Sequence, residues 1–163
     1  MVEAPRMALK DLPQDYYRHL LQMEGLILQH LDLDLYHLIK LRASQINGCA
    51  YCLAMHTDEA LKHGETPERI VCLDAWEESP LYSDRERAAL AWTEEVTLIA
   101  DSGASKEAFE ALKPHFTDDQ IPWLTFAAIQ INSWNRIAIS TRAQYHRAAA
   151  PAASTTEKTP EPA

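Results

Sequence analysis

Two thiols and an imidazole stand together in the run Cys49-Ala50-Tyr51-Cys52-Leu53-Ala54-Met55-His56. On an α-helix turning about 100° per residue, the three side chains fall within an arc of roughly 60°. Thiols three residues apart on a helix can close a disulfide, and a histidine four residues beyond the second can accept its proton. Leu53, Ala60 and His63 share or border the same stripe, which predicts a packed, partly dry face. A thiolate attacks peroxides and disulfides alike. Attack on a hydroperoxide oxygen leaves a sulfenic acid, which a second thiol condenses to a disulfide.

Rival chemistries use the same residues. A zinc site needs four ligands, usually from two separated pairs, and the one further cysteine, Cys72, stands alone in an apolar stretch. Covalent haem attachment requires His directly after the second Cys, where this chain has Leu53. Plain packing of two small thiols beside a histidine is the third alternative. No metal and no cofactor is expected.

The elements that must position these residues read as helix after helix. Glycine is scarce, with 4 in 163 residues, and no stretch alternates as a half-buried strand would. Helices are expected over about 15–30 and 33–46, the second stopping at Asn47-Gly48. A third begins near Cys49 and ends at Gly64. Its first turn then holds both cysteines, where unpaired backbone N–H groups and the helix dipole favour thiolate. Thr66-Pro67-Glu68 opens a short fourth helix. Ser83-Asp84-Arg85-Glu86 is a capping box for a fifth, through Ile99. A short helix over 106–112 ends before Pro114, and Thr117 to Gln120 reads as the capping box of a last helix over 121–142. The expectation is an all-α bundle of about six to seven helices, one domain over residues 1–147, with a disordered tail from Ala148 to Ala163 that offers no apolar residue larger than Ala.

The net charge of −9 argues against nucleic acid or an anionic membrane as partner. No apolar run approaches the roughly 18 residues of a membrane span, and the amino terminus shows no signal-peptide core. A cytoplasmic location follows as the expectation. In that compartment a Cys-x-x-Cys is more often catalytic, redox-active or metal-binding than a structural staple.

The segment from Leu41 to Thr57, Leu-Arg-Ala-Ser-Gln-Ile-Asn-Gly-Cys-Ala-Tyr-Cys-Leu-Ala-Met-His-Thr, resembles the core of the carboxymuconolactone decarboxylase superfamily, and within it the branch typified by alkyl hydroperoxidase D. The likeness continues through Gly64-Glu65-Thr66, Ala75-Trp76, the run from Arg85 to Trp92, and Ile131-Asn132-Ser133-Trp134-Asn135-Arg136. The resemblance implies an all-helical subunit in homo-oligomers such as dimers, trimers or hexamers. It also implies a thiol-dependent peroxidase whose disulfide is re-reduced by a lipoyl or thioredoxin-like dithiol. In that branch the second Cys attacks the hydroperoxide substrate and the first resolves it, which maps onto Cys52 and Cys49, with His56 in the proton relay. The residues alone leave the order open: nearness to the helix start favours Cys49 as the more acidic thiol, nearness to His56 favours Cys52.

One departure stands out. The family's relay Glu lies twelve residues before the first Cys, and here that position is His37. A His can relay protons near neutral pH, but it supplies no permanent negative charge to orient His56. It is counted among the site residues with Cys49, Cys52 and His56, with a plain helix-surface position as the alternative. Tyr51 could shape substrate access or simply pack. Asn132 and Asn135, amides inside a helix, are expected with Trp134 and Arg136 to buttress the cysteine helix or an oligomer contact. Cys72 is expected to be a core residue, and Trp76 and Trp92 are expected to pack in the core or at an interface. Arg42, Arg85, Glu86 and Arg87 are expected to form ion pairs around helix ends. His19, His30, His63, His115 and His146 suggest no second site.

The leading functional expectation is a thiol peroxidase. The alternatives are a disulfide reductase acting on a partner's disulfide, a non-catalytic redox sensor, and a lactone decarboxylase of the superfamily's namesake type.

Overall fold

Helical spacing and local caps set the elements. The computed structural model describes residues 3–145. Among them are eight α-helices and no strand: α1 (Gln14–Ile27), α2 (Leu33–Asn47), α3 (Ala50–Lys62), α4 (Pro67–Cys72), α5 (Asp84–Thr97), α6 (Ile99–Ser102), α7 (Lys106–Leu112) and α8 (Ile121–Thr141). Single 3-10 turns at Leu9–Asp11 and Leu73–Ala75 complete the order. No described helix is long and apolar enough to cross a membrane. The tail expected from Ala148, like His146, lies outside the described residues.

Two of the three expected caps form as the sequence suggests. Ser83 and Glu86 close both halves of a capping box on α5, and the Thr66 side chain accepts the Arg69 N–H of α4. The third does not. Gln120 itself is the N-cap residue of α8, without a side-chain cap bond. Its carboxamide instead accepts from the Thr117 N–H at 3.1 Å, closing a turn ahead of the helix. The first helix also stops early, at Ile27. There Gln29 and His30 bond back three residues, to Leu26 and Ile27, the tighter pattern of a helix end. That turn lets Leu31 join the core and lays the His30 ring on Trp123 at 4.0 Å. The expected run to Ile99 breaks at Leu98, and the single turn α6 follows, closed by left-handed Gly103.

Helix α2 is the axle. It packs on α3, α5 and α8, and every residue from Leu35 to Leu41 is buried. One side joins Leu35, Tyr36 and Ile39 to Ala88, Ala89 and Trp92 of α5 and to Leu124, Ala127 and Ala128 of α8. The other joins Leu38 and Leu41 to Ala60 of α3, Leu73, Trp76, Tyr82 and Leu90. Trp76 and Trp92 are core residues as expected, whereas Cys72 is only half-buried. The expected ion pairs form for Arg42 with Glu94 and Asp74, for Glu86 with Arg69, and for Arg85 with Asp32. Arg87 donates instead to the carbonyls of Tyr82, Glu77 and Ser79.

A buried axle must satisfy its polar groups internally. Lys40, 3 % exposed, pairs with Glu24 of α1 and lies over the Tyr36 ring at 4.4 Å, while the Tyr36 hydroxyl donates to the same carboxylate at 3.0 Å. At the far end of α2 an amide network spans to α8. The two Asn47 Nδ2 hydrogens are shared among the Ala43 carbonyl and the side-chain oxygens of Asn132 and Asn135, at 2.8, 3.0 and 2.9 Å. Asn135 donates to the Ser44 hydroxyl at 3.0 Å, and Asn132 to the Thr97 hydroxyl at 2.9 Å. These asparagines brace the end of α2 and Thr97 of α5, and no hydrogen bond of theirs among the described residues reaches the cysteine helix α3.

Replacing Asn135 by Ala would strip the buried Ser44 hydroxyl of its donor, whereas Asn47 keeps the Ala43 carbonyl and Asn132 as acceptors. Urea denaturation of Asn135→Ala should therefore read about 1–3 kcal/mol of lost stability, against less than about 0.5 kcal/mol for the exposed control Val71→Ala.

Candidate active site

The sequence Asn47-Gly48-Cys49 joins two helices without a loop. Gly48 adopts φ 66°, the left-handed conformation that favours glycine. The Cys49 N–H bonds back to the Ser44 carbonyl at 3.0 Å, the closing bond of a Schellman turn. The same Cys49 is the N-cap residue of α3, and its sulfur accepts the Cys52 N–H at 3.3 Å. Cys49 thus ends one helix and begins the next.

The two cysteine sulfurs lie at bonding distance as a disulfide, with Cα atoms 5.3 Å apart, inside the ordinary span for such a bridge. Both residues are 1 % exposed and pack on Ala138 of α8. They differ in access. Cys52, but not Cys49, lines a cavity of about 160 Å³ whose walls include Tyr17 and Leu21 of α1, Tyr51, Met55 and His56 of α3, and Trp134 of α8. The lining is mainly apolar and aromatic, and Leu21 at its rim is exposed.

His56 is buried, 1 % exposed, and its Nδ1 lies 2.7 Å from a Glu59 carboxylate oxygen. A carboxylate only accepts, so Nδ1 carries the proton and donates it, which leaves the lone pair on Nε2. Nε2 is buried and has no hydrogen-bond partner among the described residues. Burial pushes the His56 pKa below its ordinary value, against the upward pull of Glu59. The hydrogen bond from His56 holds the Glu59 carboxyl below the usual range. The pair is therefore a neutral imidazole bonded to a carboxylate near neutral pH, a base with a fixed tautomer.

No hydrogen bond or ring contact joins His37 to His56 among the described residues. His37 lies buried on α2, 5 % exposed, so the helix-surface alternative fails. Its ring stacks on exposed His63 at 5.3 Å, and both ring nitrogens lack partners among the described residues. Burial lowers its pKa; the largest opposing influence is Glu59. The structure therefore brings Cys49, Cys52 and His56 together and leaves His37 adjoining them through Glu59 and His63. Glu59 was missed in the sequence, although its place three residues after His56 on one helix face was a readable signal. Glu24, which also lines the cavity, comes from a distant helix and no local pattern announces it; Trp134 lies in the family-like run over 131–136, but its place in the cavity wall was not legible there.

Residues 14–95 match the profile of the carboxymuconolactone decarboxylase family, half of the chain. The chain belongs to that family. Its structural relatives set it on the alkyl hydroperoxidase D-like branch. A protein of unknown function from Agrobacterium tumefaciens, considered a candidate AhpD antioxidant defence protein, superposes with a TM-score of 0.84 at 40 % identity, covering 88 % of this chain and 99 % of its own. The protein YdfG of Bacillus subtilis is 48 % identical over 103 residues, 63 % of this chain and 70 % of its own. A peroxidase-related protein from Ralstonia eutropha, described as an alkylhydroperoxidase AhpD core, shares the fold with a TM-score of 0.72 at 19 % identity over 82 % of this chain and 72 % of its own.

Within this family member the buried histidines predict a pH response of stability. Both His37 and His56 hold their folded pKa values below the unfolded value. The unfolded chain then binds more protons between the two values, so stability is complete above about pH 6.5 and falls as pH drops through that window. Urea midpoints should fall between pH 7 and pH 5, at no more than about 1.4 kcal/mol per pH unit for each histidine. His37→Leu should lose less over the same interval than the unmodified chain.

Proposed function

We propose that this protein is a thiol peroxidase that reduces small organic hydroperoxides, cycling Cys49 and Cys52 between dithiol and disulfide. The observation that carries the reading is the shared cavity wall: Cys52 and His56 line one apolar pocket open at its rim, and the free Nε2 of His56 is a general base.

The two cysteines take different parts because their environments differ. Cys52 is the sulfur a substrate can reach. With His56 taking its proton, its thiolate attacks the terminal oxygen of the hydroperoxide and becomes a sulfenic acid. The O–O bond breaks, and the alkoxide takes the proton held on His56. Cys49 sits at a helix start, where its sulfur accepts a backbone N–H, an arrangement that favours thiolate. It attacks the Cys52 sulfur, forms the disulfide and expels the hydroxyl as water. An external dithiol, lipoyl or thioredoxin-like, then attacks Cys52 and expels Cys49, since the more acidic thiol leaves faster. Dipole and access thus cease to conflict: the acidic sulfur resolves and leaves, and the accessible one attacks and is attacked. Glu59 fills the orienting role that His37 lacks the charge to perform.

In coupled assays with a dithiol, Cys52→Ser should abolish sustained consumption of cumene hydroperoxide. Without added dithiol, Cys49→Ser should consume a single equivalent and yield a sulfenic acid trappable by dimedone. Full turnover by Cys52→Ser would sink the assignment. For Glu59→Gln, the loss of the charge that raises the His56 pKa should move the acid limb of the Cys52 oxidation rate to lower pH. It should also slow the reaction by about tenfold or more, as read by stopped-flow pH profiles.

A further inference from the structure

Two polar atoms belonging to the cavity's wall residues are buried and lack a hydrogen-bond partner among the described residues: Nε2 of His56 and the indole N–H of Trp134. The first is the base of the mechanism above. The second has no part in it. The other buried indoles are occupied: Trp76 donates to Glu94 at 2.6 Å and Trp92 to the Thr125 hydroxyl at 2.9 Å. An indole N–H can only donate, and burying one unpaired costs about 1–3 kcal/mol.

Trp134 is also firmly placed. It stands on α8 one turn before Ala138, the residue against which both cysteines pack. Tyr17 meets its ring edge-on at 5.2 Å, and its neighbours Asn132 and Asn135 are tied to Asn47 at the end of α2. An unsatisfied donor on a rigid element, carried by a residue that lines the same cavity as Cys52 and His56, is suited to charge that develops only during reaction.

We propose that the Trp134 N–H is a catalytic hydrogen-bond donor to the alkyl oxygen that leaves when Cys52 attacks a hydroperoxide, an inference that rests on the peroxidase reading above. The sulfur electron pair forms the S–O bond, the O–O bond breaks, and its electron pair stays on the alkyl oxygen. The Trp134 N–H meets that growing negative charge, and the imidazolium of His56 returns the proton, so that the alcohol leaves neutral and Cys52 carries the hydroxyl. A sulfur-based substrate offers this donor only a weak acceptor. Its effect therefore belongs to the peroxide half-reaction and not to re-reduction.

Trp134→Phe keeps the ring and removes the N–H. In stopped-flow experiments on the reduced protein, the rate of disulfide formation with cumene hydroperoxide should fall about 10- to 100-fold. Alkylation of the reduced thiols by iodoacetamide and re-reduction of the disulfide by dithiothreitol should keep their rates. A peroxide rate equal to that of the unmodified chain overturns the proposal, as does equal slowing of all three reactions, which would mark a structural role. Thiols inert to cumene hydroperoxide in the unmodified chain would overturn the peroxidase reading and the proposal together. A measurement that needs no variant uses the product alcohol, 2-phenyl-2-propanol, titrated into the ¹⁵N-tryptophan-labelled reduced protein. The Trp134 indole N–H resonance should move while those of Trp76 and Trp92 stay in place; an unmoved Trp134 resonance at saturation overturns the proposal.

Discussion

The junction at Asn47, Gly48 and Cys49 is the constraint on which the site depends. One backbone N–H, that of Cys49, closes the end of α2, while the sulfur of the same residue caps the start of α3. The left-handed Gly48 makes the reversal without a loop. The Asn47 side chain then fastens the corner to Asn132 and Asn135 of α8. The Asn47 bonds are part-buried, and the Asn135–Ser44 bond beside them is buried, where loss of one partner is expensive. Three helices are thereby locked at one point, and the cysteine pair sits on it. The two sulfurs lie at bonding distance, and their register is set by backbone and amide bonds that involve neither sulfur.

Around that corner, α2 carries an unusual load for a central helix. His37, Lys40 and Ser44 are all buried in it. Ser44 serves the corner and Lys40 pairs with Glu24, so both are satisfied; His37 is not. A buried ion pair adds little net stability, yet removing one partner strands a charge at a cost of about 3–5 kcal/mol. Glu24 therefore ties α1 to the axle while its carboxylate also faces the cavity beside Cys52 and His56. The burial that lowers the His37 and His56 pKa values comes from this same central packing. Core construction and site electrostatics are one piece of physics here.

Much of this was legible in the chain. The arc shared by Cys49, Cys52 and His56, the Asn47-Gly48 stop, the Ser83 box and the Thr66 cap all rest on interactions within one turn, where spacing and residue type settle the geometry. A distant partner decided the end of α1, which stops early so that Leu31 enters the core and His30 stacks on Trp123. The Thr117 box gave way to a local turn, and Cys72 stayed half-buried. His37 was legible as a departure from the family pattern, but its burial against α3 was not.

What the sequence by itself determined is the all-α class, the order of the helices and the cysteine pair with a base on one helical face, because helix periodicity and capping are local. Only the tertiary structure decided that Cys52 rather than Cys49 faces the cavity, that Glu59 fixes the His56 tautomer, and that Trp134 and Glu24 complete the wall. Access and solvation depend on which surfaces helices α1 and α8 cover. That covering is a property of the packed chain, and no short stretch of residues encodes it.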